Sequence, residues 1–132
     1  MRIIDMRPEI TPYKEGQSRK VGNWSFMDYY QSIGGHCRDI YHYNTLMVTF
    51  VGFEREFDSE RGEVTLEWHA EPVSIGHGSV GDQGGMNQLL GYCSMWEPGG
   101  VKTYVDYGYR YYRDQRGGGP RIMNIHTNEE VS

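Results

Sequence analysis

Five glycines and five reactive or hydrogen-bonding side chains share the twelve residues GHGSVGDQGGMN, 76–87. By type, His77 could serve as a general base, Ser79 as a nucleophile or donor, Asp82 as an acid or helix cap, and Gln83 and Asn87 as fork donors. Glycines of this density let a backbone approach a ligand closely.

Three chemistries use such a loop. The first six residues spell G-x-G-x-x-G, the dinucleotide turn, and Glu97 lies about 20 residues on, where a ribose-binding acid is expected. The context does not fit: the preceding strand alternates apolar with polar, whereas parallel strands are buried on both faces. Only residues 82–132 follow the motif, too few for a doubly wound sheet. A nucleophile elbow, G-x-S-x-G, needs glycine where His77 stands. His36, Cys37 and His42 cluster, with His69, His77 and Cys93 elsewhere, but none has zinc-site spacing. No metal or cofactor is therefore expected.

A binding chemistry fits better. The loop offers backbone N–H groups, Ser79, Gln83 and Asn87, and leads into a helix whose N-terminal dipole favours phosphate. Asp82 also fits the plain role of capping that helix. A second glycine-rich stretch, RDQRGGGP (113–120), with the next residue brings Arg113, Arg116 and Arg121. Arginine binds phosphate oxygens bidentately, and the tyrosines between the two loops offer flat faces and hydroxyls. Phosphate, sugar and ring contacts together describe a nucleotide.

The elements that must position these loops read as α+β. Arg2–Met6 is expected as a short edge strand. Residues 21–45 are aromatic and ambiguous: Trp24, Met27, Tyr30 and Ile33 fit a helical face loosely, ended by Gly34 and Gly35. LMVTFVGF (46–53) is a continuous apolar run, as in a central strand. DSERG (58–62) is a turn, and EVTLEWH (63–69) alternates, with Val64, Leu66 and Trp68 inward and an acidic outer face. A short helix follows the glycine loop, with Leu89, Leu90 and Cys93 inward. EPGG (97–100) turns into a strand over 101–112, and 121–127 is a last strand. The expected fold is a single domain, 1–132, with an antiparallel sheet and one or two short helices.

Composition sets outer limits. The chain has 132 residues, 18 Gly and 11 Tyr, a mean hydropathy of -0.71 and net charge -5. Aromatic content argues against disorder, and the negative charge against a long nucleic-acid track. Charge is segregated: residues 54–71 hold seven acids against two arginines, whereas 101–121 hold five basic residues against two acids. Cys37 and Cys93 read as reduced packing residues. The start, MRIIDMRPEITPY, lacks a signal-peptide pattern, and no stretch reaches the roughly 18 apolar residues of a membrane span. The expected compartment is the cytoplasm.

GHGSVGDQGGMNQLL, followed by YYRDQRGGGPRI, resembles a pattern in small phage-encoded proteins. The family it is similar to is the first Thoeris anti-defence protein, a phage sponge. The resemblance covers two motifs across about 45 residues. It implies a non-enzymatic protein that buries cyclic ADP-ribose isomers intact between subunits of a homo-oligomer in the infected host's cytoplasm. Some members also hold cyclic oligonucleotides. Carried onto this chain, it implies that Asn87 contacts the nucleotide and that Arg110, Arg113 or Arg116 holds its phosphates. An aromatic is expected against the adenine; position 77 is His here, so a tyrosine would serve instead. Two other classes remain open. One is an enzyme degrading such a nucleotide, with His77 and Ser79 or a carboxylate as catalyst. The other is a small single-stranded RNA or DNA binder.

Overall fold

The computed structural model describes residues 1–33, 35–91, 95–97, 100–102, 105–113 and 119–131. Its centre is an antiparallel meander of five strands in sequential order: β1 (Ser18–Val21), β2 (Trp24–Gln31), β3 (Gly35–His42), β4 (Thr45–Asp58) and β5 (Glu63–Pro72). One helix, α1 (Val80–Leu90), follows. Two short ribbons complete the chain, β6 (Met95–Glu97) with β7 (Gly100–Lys102) and β8 (Tyr109–Arg113) with β9 (Pro120–Asn124). This is the expected α+β architecture.

The apolar run of 46–53 lies inside the sheet, with Met47, Val48, Phe50 and Val51 all buried. The alternation of β5 sets its faces. Ala70, paired with Phe50, and Trp68, paired with Gly52, lie on the core side, while Glu67, His69 and Glu71 face away. The core forms on that first face, from Phe26, Ile40 and Phe50 of the sheet, Met86, Leu89 and Leu90 of α1, and Tyr111 and Ile122 of the last ribbon.

The aromatic stretch 21–45 is not helical. It forms β2, β3 and the start of β4, and its β-branched and aromatic residues suit a pleated, half-buried surface. Arg2–Met6 is likewise no strand, because Ile3–Met6 is a 3-10 turn that inserts Ile4 and Met6 into the interior. The expected strand 101–112 is interrupted: β7 ends at Lys102, residues 105–108 are irregular, and β8 begins at Tyr109. The last strand stops at Asn124, whose side chain caps the following turn through the His126 and Thr127 amides. Cys37 is buried on β3; Cys93 lies outside the described residues.

Asp28 and Arg38 face each other across β2 and β3 with both side chains fully buried. Arg38 donates to both Asp28 oxygens and to the carbonyls of Met6, Thr11 and Pro12, and lies over the Phe26 ring. This cation fastens the N-terminal arm to the sheet.

Candidate functional site

Helix α1 contains glycines at 81, 84 and 85, each of which weakens a helix by about 0.5–1 kcal/mol relative to alanine. It forms because both ends are fixed and one side is buried. Ser79 is its N-cap: the hydroxyl accepts from the Asp82 amide at 3.0 Å, and the Asp82 carboxylate accepts from the Ser79 amide at 3.1 Å. This reciprocal arrangement satisfies N–H groups that a helix start otherwise leaves open. Gly85 lies against the face of Trp24, where an added Cβ would come within 2.1 Å of the ring. Helix and sheet therefore meet at a distance only glycine permits.

The glycine loop before α1 wraps around Asp82. Its Oδ2 also accepts the His77 amide at 3.0 Å. Gly76 and Gly78 take positive φ, +64° and +76°, and an added Cβ on Gly76 would sit 2.8 Å from the carboxylate. The expectation of an open phosphate cradle meets a physical obstacle here. The amides of His77, Ser79 and Asp82 already have partners, and a native carboxylate stands where an anion would bind.

The other oxygen of Asp82 faces the sheet. Oδ1 lies 2.6 Å from Nδ1 of His42, the last residue of β3. Both side chains are at least nine-tenths buried. The His42 ring stacks on Trp24 at 4.2 Å between centroids, with the planes 9° apart, and Tyr43 leans on it at 4.7 Å. Burial of Asp82 works to raise its pKa, but hydrogen bonds from His42, Ser79 and His77 outweigh that and hold the carboxyl below its ordinary value.

A pocket of about 610 Å³ opens over this pair. Trp24, His42 and Tyr43 line it from the sheet side, Gly76, His77, Ser79 and Asp82 from the loop and helix, with Asn23 and Thr45 beside them. That volume falls within the range of small-molecule sites, roughly 300–1,000 Å³. Tyr43 is the first residue of the tight β3–β4 turn and has φ +56°, a conformation that costs a side-chain-bearing residue roughly 1–2 kcal/mol. Its amide donates to the Asn23 carbonyl at 2.6 Å, and its hydroxyl accepts from the Asn23 side chain at 3.0 Å. A strained, 63% exposed aromatic is thus held at the pocket rim.

The other expected site residues are dispersed. Arg113 is joined to the loop, its Nε donating to the Gly78 carbonyl at 3.1 Å. Arg110 and Arg121 lie over Tyr112, at 4.7 and 5.8 Å from its ring centre, on the outer side of the β8–β9 ribbon. Gln83 is half-buried on α1 and does not line the pocket. Asn87 serves the fold: its amide donates to the Tyr111 carbonyl at 3.0 Å and accepts the Tyr111 amide at 2.9 Å, fastening α1 to β8. The Tyr111 hydroxyl donates to the Ile75 carbonyl, and burial, then the Asp82 charge, push its pKa up to about 12. Arg116 lies outside the described residues.

His42, Trp24, Tyr43 and Asn23 were not among the expected site residues. The one available signal was His42 within the His36–Cys37–His42 group, and His42 meets an aspartate forty residues away rather than those neighbours. Among the described residues no group of three or more His, Cys, Asp or Glu side chains could hold a metal ion. Nor, among them, is any helix long and apolar enough to cross a membrane. Comparison with family models, curated proteins and solved structures finds no match for this chain.

Proposed function

We propose that this chain is a binding protein that sequesters a small cyclic nucleotide without cleaving it, acting in the cytoplasm of a phage-infected bacterium. The supporting observation is the pocket of about 610 Å³ that a strained, exposed Tyr43 lines together with His77, Ser79 and the stacked His42–Trp24 pair. Tyr43 supplies a ring face for a base, in place of the aromatic that the sponge family implies at position 77. His77, Ser79 and Asn23 line the pocket and supply donors for sugar hydroxyls, and Arg113, outside the lining but bonded to the Gly78 carbonyl of the same loop, supplies positive charge. The resemblance to the Thoeris sponges makes cyclic ADP-ribose isomers the first ligands to test, and cyclic oligonucleotides the next.

The Asp82–His42 pair favours a second reading, cleavage of the same class of ligand. A histidine oriented at Nδ1 by a buried carboxylate is the arrangement of a general base. Ser79 is a poor nucleophile in that scheme, because its oxygen already accepts the Asp82 amide. A water or a ligand hydroxyl would have to attack.

Calorimetric titration with cyclic ADP-ribose isomers, followed by chromatography of the heat-released ligand, separates the readings. Intact ligand supports sequestration and altered ligand supports cleavage. Absence of binding by every cyclic nucleotide offered removes both. Tyr43→Gly is expected to weaken binding strongly while leaving stability within about 1 kcal/mol of wild type. Relief of the left-handed strain offsets the lost Asn23 hydrogen bond and the added chain entropy.

A further inference from the structure

The five-stranded sheet is open, and its two edges carry opposite charge. On one edge, β1 exposes Ser18, Arg19 and Lys20. On the other, β5 exposes Glu63, Glu67 and Glu71. Neither Arg19 nor Lys20 has an ion-pair partner among the described residues, and Glu67 makes only long, exposed contacts with Arg55 and His69. A charged edge normally prevents pairing with another edge. Here like edges repel, so neither β1 with β1 nor β5 with β5 is favoured between two copies. Unlike edges attract. We infer that β1 of one copy adds to β5 of the next, continuing the sheet from molecule to molecule.

Strand register supports the charge argument. Ser18, Met27, Asp39, Thr49 and Glu71 form one row across the sheet, so Lys20, two residues from Ser18, shares its face with Glu67 and Glu71. Continuing the sheet with its faces aligned places Lys20 of one copy beside those two acids of another. Arg19 falls on the opposite face. A groove of about 770 Å³ runs along the β5 edge, lined from both faces of the strand, by Glu67 and Glu71 as well as Trp68 and Ala70, and by Val105, Asp106 and Tyr107 beyond it. Asp106 gives Arg19 an acidic counterpart, while Trp68 and Tyr107 offer apolar surface to its stem. Backbone pairing supplies affinity and these side chains supply the choice of partner, as in β-strand addition generally.

Such a contact is head-to-tail. An open assembly keeps one unused edge of each kind, one at either end, until a ring closes, and grows into a filament if it does not. The experiment is a charge exchange followed by light scattering after size exclusion at low ionic strength. One variant reverses the basic edge (Arg19→Glu, Lys20→Glu); the other reverses the acidic edge (Glu67→Lys, Glu71→Lys). All four residues are exposed, and circular dichroism verifies that both variants fold. The wild type is expected to assemble into multiples of 15.3 kDa and to dissociate as salt rises. Each variant alone is expected to be monomeric. An equal mixture of the two is expected to assemble again, because each basic edge once more meets an acidic one. A monomeric wild type overturns the inference. So does assembly that both variants retain, or a mixture that stays monomeric.

Discussion

Replacing Asp82 tests how far one carboxylate organises the site. Asp82→Ala removes the acceptor of two amides, the Ser79 amide being the one that closes the capping box, and the partner of His42. Two amides without their acceptor cost about 1 kcal/mol each where water reaches them, and the His42 bond adds about 1–2 kcal/mol. The alanine variant should therefore lose about 3–4 kcal/mol in urea denaturation at neutral pH. Asp82→Asn should lose only about 1–2 kcal/mol, because its carbonyl oxygen can keep the His77 and Ser79 amides while its NH₂ turns to His42. That turn has a signature. His42 Nδ1 must then accept, so the proton of the neutral ring moves to Nε2. Nitrogen-15 NMR of the imidazole reads this directly. If sequestration is correct, Asp82→Asn still binds nucleotide without turnover; if His42 is a general base, turnover collapses while binding persists. An asparagine variant as unstable as the alanine one, or one whose His42 tautomer is unchanged, would falsify this account of the pair.

Three further outcomes follow from the packing and from ionisation. Gly85→Ala should lose about 3 kcal/mol or more by denaturation, since its methyl enters the Trp24 ring; a variant within 1 kcal/mol of wild type would show that helix and sheet sit further apart. Arg38→Met should lose about 3–5 kcal/mol by leaving Asp28 buried without its cation, and Arg38→Met with Asp28→Leu should recover much of that. The Tyr111 phenol ionises in the folded chain at about 12, above its ordinary 10, so the unfolded chain releases that proton first. Stability should accordingly fall as pH climbs from about 10 towards 12, and Tyr111→Phe should flatten that slope in alkaline denaturation.

Much of the sheet was legible because burial writes itself into periodicity. The β4 run reported a buried strand, and the β5 alternation reported the core face at Trp68, whereas Val64, also expected inward, is exposed at the strand's far end. The N-terminal half misled because Trp24, Phe26 and Asp28 follow strand spacing while Trp24, Met27 and Tyr30 mimic a loose helical one. Register with β3 decides between them, and register is non-local. The glycine loop was correctly legible as special and its occupant was not. Asp82 reads equally as cap or ligand group until its oxygens are counted against the amides of His77 and Ser79. His42 could not be placed at all, since its partner is forty residues distant and its stacking surface lies on the neighbouring strand.

Under the proposed function, Asp82 moves recognition from the loop to the turn. A helix N-terminus beside a glycine loop ordinarily attracts an external anion. Here the chain provides the anion itself, and the resulting charge would oppose a phosphate placed directly on the loop. Under the proposed function a phosphate is therefore expected away from Asp82, towards Arg113, which binds the Gly78 carbonyl without lining the pocket itself, leaving the base and sugar for Tyr43, Asn23 and His77. Arg113→Ala should weaken an anionic nucleotide far more than the matching nucleoside, whereas Tyr43→Gly should weaken both alike. Calorimetry with each ligand on each variant reads the difference directly. Equal losses for nucleotide and nucleoside in Arg113→Ala would place the phosphate elsewhere and undo this orientation.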